Sequence, residues 1–189
     1  MQDGNAYQQI TPPPRGEAGR STHPSNSRML ASYLSDIELL LEEKRWEQAM
    51  GEAFDLPQIA VALSDPQMEV STERVQAWCE HWVAHGEAVP PTAEERSRII
   101  QLVCERAGRA RHADESVPAL ALRRLRLHRL QRTRHRGFNT GPLALSDPEA
   151  VNAAQICTTL AHAARRWYAQ SACHDAVVQA NLTRLAVLR

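Results

Sequence analysis

Aromatic residues are scarce in this chain. Two Phe, three Tyr and four Trp make up 5% of 189 residues. A core must therefore be filled by Leu, Ala, Val and Ile. Ala and Leu favour helices, and the β-branched residues that favour strands are sparse. Lysine is scarcer still: Lys44 is the single one, and every other cation is Arg. Arginine keeps its charge and binds carboxylate or phosphate through paired N–H bonds. A GC-rich genome produces the same bias without functional meaning. The sequence also lacks a phosphate-binding glycine loop, a dinucleotide fingerprint and an EF-hand loop, so it carries no motif for those chemistries. The four cysteines, Cys79, Cys104, Cys157 and Cys173, form no CxxC pair. No stretch approaches the length of a transmembrane helix. The first 30 residues lack the apolar segment of a signal peptide. The expectation is a cytoplasmic protein with reduced thiols and no membrane contact.

Charge is plentiful, and it is segregated. The formal net charge is zero. Residues 29–95 nevertheless hold fourteen Asp and Glu against Lys44, Arg45 and Arg74, a balance of −11. Residues 96–189 hold sixteen Arg against six acids, a balance of +10. Such asymmetry points either to a charged partner or to two halves that face each other.

Residues 1–28 are rich in Pro, Gly, Ser, Gln and Asn and include Pro12, Pro13 and Pro14. Such a segment buries too little apolar surface to offset its ordering entropy, and it is read as a disordered tail. The rest, 29–189, is read as one helical domain. Leu30, Tyr33, Leu34, Ile37, Leu40 and Leu41 fall on one helical stripe. Trp46, Met50 and Phe54 continue at four-residue spacing on another face, which predicts a bend or a second partner there. Pro57 is expected to set a boundary. Val75, Trp78, Cys79, Trp82 and Val83 give the next helix its apolar face, opened by Ser71-Thr72. Thr92 followed by Glu95 is a capping box, and Ile99, Leu102, Val103 and Ala107 form the face behind it. From Asp147 the three-to-four spacing of Ala153, Cys157, Leu160, Ala164, Trp167, Val178, Asn181 and Leu185 predicts one long helix, or two with a break near 171–175. Ala-Leu-Ser-Asp-Pro occurs at 62–66 and again at 144–148; it is read as a helix-start signal used twice, not as a duplication. The expected fold is an all-α bundle of about five to seven helices.

Three constellations bear on chemistry. His81 and His85 stand four apart on a helix, the spacing of a metal pair. Cys79 points about 200° away from His81, and the Glu of the zincin motif is missing, so the sequence assigns no metal and no cofactor. Cys173-His174-Asp175 sets a thiol, an imidazole and a carboxylate in a row. Neighbours on a helix diverge by about 100°, so they form no triad by themselves. The third is basic. Ten Arg lie between 106 and 136, and Arg123, Arg124, Arg126, Arg129, Arg132, Arg134 and Arg136 are its densest part. Clustered Arg is the electrostatic mark of phosphate binding, but Phe138 is the first aromatic near it, so base stacking is poorly served. The sequence therefore predicts a non-enzymatic adaptor or scaffold that binds another protein or self-associates through helical faces. The alternative is a nucleic-acid-binding accessory protein that uses the Arg-rich segment. A weaker third reading is a helical metalloprotein centred on His81 and His85.

Overall fold

The computed structural model describes residues 24–85, 91–110 and 147–187. The fold is an all-α bundle, with six α-helices among the described residues: α1 (Pro24–Glu42), α2 (Trp46–Leu63), α3 (Thr72–Trp82), α4 (Ala93–Ala110), α5 (Asp147–Trp167) and α6 (Ala176–Val187). A π-helical turn, Tyr168–Ala172, joins the last two. The expected tail lies outside the described residues up to position 23. Its last residues, Pro24 to Arg28, belong to α1 instead, so the boundary drawn at 28 moves back. Pro24 suits a first helical position, because its missing N–H would have no partner there.

The core is built around α2. Every position from Asp55 to Leu63 is buried. A helix apolar on all sides must be surrounded, and α1, α3, α4, α5 and α6 all pack against it, α5 most extensively. Ala49, Ala53, Ala60 and Ala62 on α2, and Ala153, Ala161, Ala163 and Ala164 on α5, are buried. Small side chains at a helix crossing let the axes come closer. The expected boundary at Pro57 is thus overturned: Pro57 lies inside α2. It removes the N–H that would bond to the Ala53 carbonyl, at a cost of about 3 kcal/mol in an isolated helix. Burial of the whole following turn outweighs that local cost.

The rotated stripe at Trp46, Met50 and Phe54 has a different cause from a bend. The chain breaks between α1 and α2. Arg45 N–H bonds to the Leu40 carbonyl (2.8 Å) and Lys44 N–H to the Leu41 carbonyl (3.1 Å). Lys44 has φ 58°. This is a Schellman cap with Lys44 in the left-handed position that glycine usually takes. A lysine there leaves no stop signal in the sequence.

The repeated Ser-Asp-Pro also divides. At 64–66 it ends a helix, and at Asp147 it opens one. Past α2, Asp65 Oδ1 accepts from the N–H groups of Gln67 (2.8 Å) and Glu69 (3.2 Å), and Oδ2 accepts from Arg74 Nη1 (2.7 Å). The Glu69 N–H, ahead of the Arg74 and Gln67 bonds, holds this carboxyl below the usual range, against a smaller opposing effect of desolvation. Asn181 on α6, 2% exposed, closes the loop. Its Nδ2 donates to the carbonyls of Leu63 (3.0 Å) and Asp65 (2.7 Å), which a helix end otherwise leaves without partners. Arg184 Nη1 donates to Asn181 Oδ1 and to the Pro66 carbonyl, both at 3.1 Å.

Elsewhere the expected faces hold. Leu30, Tyr33, Leu34 and Ile37 are buried, with Leu40 and Leu41 packed at the edge. Val75, Trp78, Cys79 and Val83 on the α3 side, and Ile99, Val103 and Ala107 on α4, are buried as well. The capping box forms: Thr92 N–H donates to Glu95 Oε2 (2.6 Å) and Glu95 N–H to Thr92 Oγ1 (3.2 Å). The long C-terminal segment is two helices, with the break where the spacing placed it.

Two outcomes follow. Ile37 is fully buried while Leu39, two residues on, is 49% exposed. Ile37→Asp should cost more than about 3 kcal/mol, because it buries an unpaired charge, and Leu39→Ser less than about 0.5 kcal/mol. Urea melts of the two variants test this; equal effects would refute the register of α1. Lys44→Gly should stabilise by about 0.5–1 kcal/mol. It removes a left-handed penalty of about 1–2 kcal/mol and gives part of it back as unfolded-chain entropy. A lower midpoint for that variant would contradict the cap.

Candidate functional site

Polar and aromatic side chains gather where the end of α3 meets the end of α5, and of the residues singled out for chemistry His81 and His85 stand at that end of α3. Three consecutive residues of α5 reach two neighbouring helices, Arg165 facing α1 and Arg166 and Trp167 facing α3. Arg165 pairs with Glu38 on α1. Arg166 donates to the Trp82 carbonyl at the end of α3. Trp167 turns inward and meets Trp78 edge to face, with ring centroids 6.5 Å apart. Tyr168 follows against Trp167 at 6.4 Å and is half-buried. Trp78 and Trp167 are thus core anchors, whereas Trp46 and Trp82 are only half-buried. The Nε1 of Trp78 and the Nε of Arg166 are buried without hydrogen-bond partners. Gln58 Oε1, deep in α2, is a third orphan. Such groups cost stability and are uncommon in native cores.

His81 and His85 are both exposed at this end of α3. Their ring centroids are 6.2 Å apart, and His81 packs edge-on against the Trp82 ring at 4.6 Å. His85 Nδ1 lies 2.9 Å from the Glu80 carbonyl. A carbonyl oxygen only accepts, so a hydrogen bond at this contact is donated by Nδ1–H. Among the described residues no group of three or more His, Cys, Asp or Glu could hold a metal ion.

Cys173 and Asp175 serve the chain itself. Cys173 Sγ donates to the Ala169 carbonyl (3.3 Å) within the π turn. Asp175 Oδ1 accepts from the N–H groups of Val177 (2.8 Å) and Val178 (3.0 Å), capping α6. His174 is exposed. All four cysteines are free. Burial raises the Cys79 thiol far above its ordinary value and pushes Cys157 to about 12. Desolvation also raises Cys104, helped by the nearby Glu80 carboxylate. A thiol held protonated is a poor nucleophile.

Arg123, Arg124, Arg126, Arg129, Arg132, Arg134 and Arg136 lie outside the described residues. Among basic groups that are described, Arg106 sits over the Phe54 ring at 5.7 Å, a cation–π contact between α4 and α2. With Arg165 and Glu38, it joins the basic half of the chain to the acidic half. Sequence reasoning singled out neither Arg165 nor Arg166. Their only sign was the Arg-Arg-Trp-Tyr run at 165–168, which says nothing about which neighbour each residue meets.

The fold and this junction define an all-α helical bundle whose α3 and α5 ends bring together aromatic, imidazole and guanidinium groups. No protein-family model, curated protein or solved structure matches the chain.

The thiol environments give a direct test. Under native conditions a small alkylating reagent should modify Cys104 and Cys173, both half-buried, before Cys79 and Cys157, which are fully buried. Peptide mass mapping reads the order. Early labelling of Cys79 or Cys157 would contradict the packing of α3 or α5.

Proposed function

We propose that this protein is a non-enzymatic helical adaptor or scaffold that binds another protein. The observation that carries the reading is the charge of its surface. Residues 24–85 hold eleven acids against four cations. Glu38, Glu42, Glu43, Glu47, Glu69, Glu73 and Glu80 are exposed over α1, α2, α3 and their connections. A well-packed body with a field of one sign steers a partner of the opposite sign and selects against others. Of the Cys173-His174-Asp175 run that the sequence offered for catalysis, Asp175 caps a helix and Cys173 bonds to the Ala169 carbonyl, which goes with the same reading. A cytoplasmic location goes with four free cysteines. No helix among the described residues is long and apolar enough to cross a membrane.

A second reading rests on residues 111–146, which hold eight Arg against two acids. With Arg123, Arg124, Arg126, Arg129, Arg132, Arg134 and Arg136 free to meet phosphate, the protein would be a nucleic-acid-binding accessory protein.

One salt series separates the two. If acidic and basic segments pair, within one molecule or between two, the melting temperature or the degree of self-association should fall as NaCl rises from low to near-molar concentration. Each exposed pair contributes about 0–1 kcal/mol, so the summed effect is what is read. Replacing Arg123, Arg124 and Arg126 together by Gln should flatten the dependence. A melting temperature indifferent to salt, together with tight and steeply salt-sensitive binding of DNA or RNA, would replace the adaptor reading by the nucleic-acid one.

A further inference from the structure

We infer that His81 and His85 form a two-imidazole site for a borderline divalent metal ion such as Zn²⁺ or Ni²⁺, with its remaining positions open. The inference does not rest on the adaptor reading. Imidazole nitrogen suits these ions, whereas Mg²⁺ and Ca²⁺ prefer oxygen ligands.

Several features converge on it. His81 lies in the last turn of α3 and His85 in the turn just past its end, and the two rings stand 6.2 Å apart, centroid to centroid. Both side chains are exposed, so an ion reaches the two rings directly from solvent. The His85 ring is held by its Nδ1–H bond to the Glu80 carbonyl at 2.9 Å. Metal-ligating histidines are fixed in this way: the second ring nitrogen donates to a carbonyl or carboxylate, which sets the tautomer and raises the basicity of the ligating nitrogen. The His81 ring is braced by the Trp82 ring at 4.6 Å. The site lies at a helix C-terminus, whose carbonyl end favours positive charge. Arg166 is the opposing influence, since its guanidinium already occupies the Trp82 carbonyl. Binding is therefore set by the two imidazoles rather than by the field. Two protein ligands leave room for water or for a ligand from a second molecule, in contrast to the closed four-ligand geometry of a structural zinc site.

Isothermal titration of the full chain with ZnCl₂ and with NiCl₂, and with MgCl₂ as the oxygen-preferring control, tests the assignment. The wild type should bind one equivalent of Zn²⁺ or Ni²⁺ with no matching Mg²⁺ signal. His81→Ala and His85→Ala should each weaken that binding by about tenfold or more, and the double variant should abolish it. Cys104→Ser, which removes the half-buried thiol of α4, should leave it unchanged. Both histidines are exposed, so the variants should keep the wild-type melting temperature, which is measured alongside. Absence of saturable binding in the wild type would overturn the site. Binding that survives in the double variant, or that is lost in Cys104→Ser, would do the same by placing the metal elsewhere.

Discussion

Burial of the second half of α2 is the constraint on which the bundle depends. From Asp55 to Leu63 no position faces solvent. Nine successive buried residues make more than two full turns that must be covered on every side. This fixes α2 as the central element and the other helices as its shell. It also explains the tolerance of Pro57, since a lost backbone bond matters less when tertiary contacts hold the turn. Asp55 and Gln58 are drawn into the interior by the same packing, and Gln58 Oε1 pays for it by having no partner.

Enclosing a helix completely creates a problem at its end, where the last carbonyls lose water. Asn181 resolves it from α6, a separation of more than a hundred residues. The amide is suited to the task because one NH₂ group supplies two donors, while its oxygen remains free to accept from Arg184. At the other end of the bundle Arg166 plays a comparable part for α3 through the Trp82 carbonyl. In both places a polar side chain from a late helix terminates an early one. The front and back of the chain are thus joined by specific hydrogen bonds as well as by apolar packing, and the Arg165–Glu38 pair adds a surface contact of the same sense.

The surface that results is divided in character. The acidic residues of α1 to α3 spread over exposed faces, while the polar groups near the α3–α5 junction are directed at particular atoms. A diffuse field and a localised cluster suit different tasks. The first acts over about a Debye length on any oppositely charged partner; the second recognises a ligand by bond geometry. The adaptor reading uses the first, and the imidazole pair uses the second.

The amphipathic faces were legible in the sequence because periodicity is a local property. Leu30, Tyr33, Leu34 and Ile37, or Val75, Trp78 and Cys79, announce their helix and its inner side through spacing alone. The Thr92–Glu95 capping box and the break near 171–175 were legible for the same reason. The helix end at Lys44 was not, since the left-handed cap is taken by a residue with no preference for it. Nor was the continuity of α2 through Pro57, because local propensity opposes it and only surrounding helices supply the compensation. Of the candidate site, spacing singled out His81 and His85 but set both on one helix, whereas α3 ends at Trp82 and His85 lies in the turn beyond it. Tertiary structure decided the rest: that Arg165 reaches α1 while Arg166 and Trp167 reach α3, that Asn181 seals α2, and that Asp175 caps a helix. A sequence determines which residues share a helix face, because that follows from a fixed rotation per residue. Which face meets which depends on packing between segments far apart in the chain, and no local pattern encodes it.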